Sequence, residues 1–249
     1  MMNFTYYIPT RILFGTGTLD QLHAQQLPGK KALIVTTSGQ SIRKYGYLDR
    51  VEKELAKAGV ASVVFDKIMP NPVERHVMEG AQIAREQGCD FIVGLGGGSS
   101  IDSAKSIALM ATNEGTYWDY IAGGSGKAKA PAHRPLPVVA ITTTAGTGTE
   151  ADPWTVVTRE ETNEKIGFGY DDTFPVLSIV DPELMLTVPP ALTAFQGFDA
   201  LFHSTEGYLA QCANPVSEAL SLKAIELIGK NLPVAVRDGK NLAAREGMA

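Results

Sequence analysis

The chain has 249 residues, 44% of them hydrophobic and 20% charged, with 22 Lys plus Arg against 27 Asp plus Glu and a formal net charge of −5. That balance suits a soluble globular protein holding one large domain, or one domain and part of another. It excludes a disordered acidic chain, and the absence of a basic run excludes nucleic acid as the main partner.

The opening Met1-Met2-Asn3-Phe4-Thr5-Tyr6-Tyr7-Ile8 has no basic region followed by an apolar one, and no apolar run is long enough to span a membrane. The two cysteines, Cys89 and Cys212, are too far apart in sequence to suggest a disulfide framework or a clustered metal site. A reducing cytoplasm is expected, with both thiols free and in the core.

Lys31–Thr37 is a short run rich in β-branched residues, expected to form a strand buried on both faces. Leu48, Val51, Leu55 and Ala58 have helical spacing and are closed by Gly59, so Tyr47–Ala58 is predicted to be a helix. Ala61–Phe65 follows as a strand, Val73–Gln87 as a helix closed by Gly88, and Asp90–Leu95 as a third strand. Ser99–Met110 is expected to be helical, 122–135 a Gly/Ala/Pro-rich surface loop, and Pro137–Ile141 a fourth strand. Trp154–Thr158 and Lys165–Tyr170 flank a polar turn as a hairpin, and Leu177–Val180 is the last strand.

Strands alternating with helices predict an α/β fold with a Rossmann-like, mainly parallel sheet. Beyond Pro189-Pro190 the pattern is helical only, with Ala191–Gln211 first. Asn214-Pro215 has the cap-then-proline start of a long helix, and Asn241 caps a short one. The expected division is an α/β domain at 1–184 and an incomplete all-α domain at 185–249.

Gly96-Gly97-Gly98-Ser99-Ser100-Ile101-Asp102 joins a strand to a helix. Glycines allow close approach of a ligand to the backbone, and helix-start amides suit a pyrophosphate. The spacing matches neither the usual dinucleotide turn nor a P-loop, so a bare tight turn explains the cluster equally well. Asp102 suits a first-turn helix acid, and Lys105 is expected to face solvent. A second loop, Thr142-Thr143-Thr144-Ala145-Gly146-Thr147-Gly148-Thr149, gathers five threonines and two glycines at a strand end. Ligands of such sheets bind there, so the two loops together suggest a long ligand such as a dinucleotide. Asp199 and His203 are four apart on a predicted helix and share a face, which suits a divalent metal or a simple surface pair. His23, His76 and His133 are expected to be solvated or structural.

These motifs, with Phe14-Gly15, Asn71-Pro72 and Phe198-Asp199-Ala200-Leu201-Phe202-His203-Ser204-Thr205-Glu206-Gly207-Tyr208, resemble the iron-containing (group III) alcohol dehydrogenases along the whole chain. The resemblance implies a dinucleotide domain followed by a helical metal domain, with the active site between them. It implies that Gly97, Gly98, Ser99 and Asp102 line the coenzyme, that Asn71, Thr143, Thr144, Thr147 and Lys165 complete that site, and that Asp199 and His203 are two metal ligands.

The implied reaction is NAD(P)-linked hydride transfer between a primary alcohol or diol and its aldehyde, assisted by Fe2+ or Zn2+. No acid stands at Thr37-Ser38-Gly39, and Arg43 and Lys44 are nearby, which leans toward NADP. Family members draw further metal histidines from later helices, whereas no histidine here follows His203. The chain is therefore expected to be an N-terminal part that binds metal weakly. A homodimer or larger assembly, with pairing between subunits around Tyr6–Ile8 and Ile12–Phe14, completes the expectation. A non-catalytic nucleotide-binding or assembly module and a glycerol-dehydrogenase-like enzyme are the alternatives.

Overall fold

The computed structural model describes residues 3–249. Six parallel strands form one sheet in the order β1-β8-β5-β4-β2-β3. They are β1 (Arg11–Phe14), β2 (Lys31–Thr37), β3 (Ala61–Ile68), β4 (Phe91–Gly96), β5 (Val138–Thr142) and β8 (Leu177–Val180). The intervening β6 (Thr155–Arg159) and β7 (Glu164–Phe168) pair antiparallel as the expected hairpin.

The strands read as continuous apolar runs because both sheet faces are covered. On β2, Leu33 and Val35 enter one core while Ala32 and Ile34 enter the other. The first core is built with α3 (Glu74–Glu86) and α4 (Gly98–Thr112), and the second with α2 (Tyr47–Lys57) and a 3-10 helix at Thr18–Ala24. A short α1 (Ser41–Lys44) follows β2. Gly94 of β4 lets α4 approach closely: a side chain there would have its Cβ 3.0 Å from Ala104 Cβ and 3.1 Å from Ile101 Cα.

Chain order reverses around β2. The chain runs outward from β2 to β3, then returns to the other side of β2 as β4. The carboxyl ends of β2 and β4 therefore flank the switch point, where sheets of this kind bind ligands.

Three helices follow the sheet: α5 (Pro190–Leu209), α6 (Pro215–Arg237) and α7 (Leu242–Met248). Asn214 caps α6 through the amides of Val216 and Ser217, and Asn241 caps α7 through that of Ala244. The α5 and α6 helices pack side by side, with Gly197 making room for Leu232. None of the described helices is long and apolar enough to cross a membrane.

Arg11–Phe14 pairs in parallel with β8 of its own chain as an edge strand of the sheet, while Tyr6, Tyr7, Ile8, Ile12 and Phe14 stay exposed. Two expectations change. Cys89 is buried but Cys212 is exposed, because it falls in the turn after α5. Lys105, expected to face solvent, is buried, whereas the burial of His76 agrees with the structural role expected for it.

The short α7 is held by one cation. Arg245 is 3% exposed and donates to Thr193 Oγ1 at 2.8 Å, Val188 O at 2.9 Å and Gly239 O at 3.0 Å. Burial lowers its pKa below that of free arginine. Arg245→Ala removes all three donors. It is expected to cost about 2–3 kcal/mol, as buried acceptors lose a charged partner, read as a lower urea midpoint.

Candidate functional site

The register of β4 on β5 sets Gly96 beside Thr142. The Thr143 amide then donates to the Gly96 carbonyl at 2.9 Å, so the glycine turn and the threonine loop leave the sheet together. A Cβ on Gly97 would sit 2.9 Å from Thr144 Cγ2, and one on Gly98 2.8 Å from Thr147 Cγ2. A side chain at either position would force these threonines to shift. No side chain caps α4, so its first-turn amides are left for an anion. The glycine cradle and the uncapped terminus fit a dinucleotide pyrophosphate.

Thr37 and Ser38 end β2 next to this turn, Thr37 half-buried and Ser38 exposed. Nearby, Arg43 donates to Asp66 at 2.7 Å, so the cation expected to favour a 2′-phosphate already has a partner. A cavity of about 130 Å³ lies between α1, Thr143-Thr144 and the segment entering α5, with Ile42, Tyr47, Leu184 and Leu192 among its walls. Sequence reasoning misses this apolar pocket because its walls come from three separated segments.

Asp102 lies one turn into α4. Its carboxylate accepts from Thr149 Oγ1 at 2.6 Å and from the Val156 amide at 3.0 Å. Burial pushes its pKa above the ordinary aspartate range, while Thr149, Val156 and Lys105 pull it back. Lys105, expected to face solvent, has a fully buried side chain. Its Nζ donates to Thr149 Oγ1 at 2.8 Å, Asp152 O at 2.8 Å, Asp152 Oδ1 at 3.1 Å and Trp154 O at 2.9 Å. A partial signal was present in the sequence: Ala104, Ile107, Ala108, Leu109 and Met110 make the helix largely apolar, and its polar side is built mostly of small serines. Burial lowers the Lys105 pKa, with Asp152 and Asp102 opposing.

Asn71 and Lys165 form a pair of their own, Nζ to Oδ1 at 2.8 Å. Asn71 adopts a left-handed φ of 57°, which asparagine tolerates. Lys165 sits opposite Thr158 on the hairpin, two residues past Val156. Among the described residues, no hydrogen bond joins this pair to the glycine turn.

The threonine loop also meets the helical region. A Cβ on Gly146 would lie 3.0 Å from the Gln196 carbonyl and 3.2 Å from Asp199 Oδ2. Asp199 and His203 share one face of α5, Oδ1 to Nε2 at 3.9 Å, and both side chains are part-exposed. His203 lines a cleft of about 300 Å³ against Gly146 and Thr147. It also lines a cavity of about 420 Å³ with Asp102 and Thr149. Among the described residues, no three His, Cys, Asp or Glu side chains cluster to hold a metal. Two donors fall short of the usual four-ligand shell, so these residues alone do not fit a complete metal centre.

Comparison with known proteins identifies the family. The description "Iron-containing alcohol dehydrogenase" matches residues 9–182, and "Fe-containing alcohol dehydrogenase family, C-terminal" matches 193–249. Alcohol dehydrogenase 4 of Schizosaccharomyces pombe is 42% identical over 98% of the chain, which covers 57% of that protein. The 1,3-propanediol dehydrogenase of Klebsiella pneumoniae is 41% identical over 99% of the chain, which covers 63% of it. A crystal structure of an archaeal halo-thermophilic alcohol dehydrogenase from a Red Sea brine pool superposes with a TM-score of 0.95 at 39% identity, covering all of this chain and 63% of that one. The chain thus spans about three-fifths of the length of these relatives.

Proposed function

Because the chain belongs to the iron-containing alcohol dehydrogenase family, we propose that it carries the coenzyme site of an enzyme interconverting a primary alcohol or diol with its aldehyde. The observation carrying this reading is the pairing of two loops at the ends of β4 and β5, with the Asp199–His203 helix packed on the second loop. The proposed domains are 1–184 for the coenzyme and 185–249 for the start of the helical, metal-binding part.

A bound nicotinamide coenzyme supplies the hydride acceptor or donor. The residues of this chain bind and orient it. The amides that open α4, over Gly97, Gly98 and Ser99, meet the pyrophosphate charge. Thr143, Thr144 and Thr147 close over it as hydroxyl donors. Asp102, an acceptor, takes sugar hydroxyls rather than phosphate, which its charge would repel. Lys165, oriented by Asn71, sits on the flanking hairpin as a cation for the ligand.

Thr37 and Ser38 are assigned to the adenosine ribose. The Thr37-Ser38-Gly39 turn has no acid to reject NADP(H), but Asp66 occupies Arg43. The reading is therefore NAD(H), with NADP(H) accommodated. Among relatives, the Bacillus methanolicus enzyme is named an NAD-dependent methanol dehydrogenase.

Asp199 and His203 are proposed as two ligands of a divalent metal, iron first and zinc second. No chemical step is assigned to that metal, because the remaining ligands have no candidates among the described residues. The free cysteines suit a reducing cytoplasm, and a homodimer or larger assembly is proposed for the protein.

Titrating the chain with NADH and NADPH, and separately with Fe2+ against a His203→Ala variant, tests the reading. Saturable NADH binding is expected, with weak iron binding that His203→Ala abolishes. A chain that binds neither coenzyme contradicts the assignment.

A further inference from the structure

The geometry points to Lys105 as a positioning residue that acts through Thr149 on Asp102. The proposal rests on the reading of the cleft as a nicotinamide coenzyme site.

Lys105 does not touch Asp102 directly. Its fully buried Nζ faces four oxygens, on Thr149, Asp152 and Trp154. Thr149 is itself 3% exposed, and its hydroxyl has one proton. The ammonium can only donate, so it occupies a lone pair of Thr149 Oγ1. The single proton of Thr149 is then turned toward Asp102 Oδ1, 2.6 Å away. The second oxygen of Asp102 is held by the Val156 amide at 3.0 Å.

Both donors to Asp102 stand at the ends of the segment that Lys105 clamps at Asp152 and Trp154. One buried cation therefore sets the direction of a hydroxyl and the position of an amide. The carboxylate is held as a pure acceptor on the wall of the cavity of about 420 Å³, where Thr147, Trp154 and His203 also stand. A fixed acceptor there suits two adjacent donors, such as the vicinal hydroxyls of the ribose nearest the reacting ring. A carboxylate free to swing or to take up a proton would hold that sugar loosely.

Thr149→Val and Thr149→Ser separate this role from simple packing. Valine keeps the shape and removes the hydroxyl; serine keeps the hydroxyl. The probes are NADH, which has the nicotinamide ribose, and 5′-ADP, which lacks it. Thr149→Val is expected to weaken NADH by about tenfold or more, the size of a lost hydrogen bond to a charged group. Its 5′-ADP affinity stays within about twofold, and Thr149→Ser retains both.

Equal weakening of both probes would make Thr149 merely structural and overturn the proposal, as would unchanged NADH binding. If Thr149→Val does not fold, Thr149→Cys offers a weaker donor of similar size. Its NADH affinity should lie below that of Thr149→Ser with 5′-ADP unchanged, and no loss overturns the proposal. A wild-type chain that binds neither probe refutes the underlying reading of the cleft instead.

Discussion

Gly98→Val is expected to abolish coenzyme binding, with a loss of at least about 100-fold in NADH affinity, while the chain stays folded. The backbone of Gly98 needs no left-handed conformation, so valine causes no intrinsic strain. Its Cβ would come within 2.8 Å of Thr147 Cγ2, and the branched methyls would fill the space between turn and loop. Thr147 is exposed, so its loop can yield without disturbing either core. The cradle, however, loses the approach that only hydrogen permits. Titration of NADH fluorescence alongside thermal unfolding checks both halves of the expectation. Normal affinity in a folded variant would remove the glycine turn from the site.

Lys105→Met is expected to be the most destabilising single substitution in the coenzyme region, at about 2–4 kcal/mol. It strips a donor from Thr149 Oγ1, the Asp152 carbonyl and carboxylate, and the Trp154 carbonyl. Removing one partner of a buried ion pair costs about 3–5 kcal/mol. Asp152 is 34% exposed, so water recovers part of its loss and the expected figure is lower. The urea midpoint, at unchanged slope, measures the effect. A change below about 0.5 kcal/mol, typical of solvent-facing positions, would contradict the buried placement.

The α/β architecture is legible in the sequence because burial on both faces writes each strand as an apolar run and each crossover as an amphipathic helix. The hairpin and the Asn214 and Asn241 caps are legible for similarly local reasons. Arg11–Phe14 is not, because an edge strand of four residues alternates too briefly to be distinguished from coil. Lys105 misleads because residue type favours solvent; only the largely apolar, small-residue make-up of its helix indicates burial. The glycine and threonine loops can each be read as turns, and their partnership emerges only from the register of β4 on β5. The pair Asp199 and His203 is visible at helical spacing, but its contact with Gly146 depends on how the helical segment folds back onto the sheet. The Arg43–Asp66 pair joins residues on different elements, so the local run of cations suggests a freer charge than the fold provides.

The helix beginning at Gly98 is buried from Ser100 to Met110 except for the Asp102 side of its first turns. The amides that would receive a ligand thus belong to an element already immobilised by two layers of packing. Little conformational freedom remains to be lost there on association, so the entropy cost of ordering falls on the exposed Thr147-Gly148 loop tip rather than on the cradle.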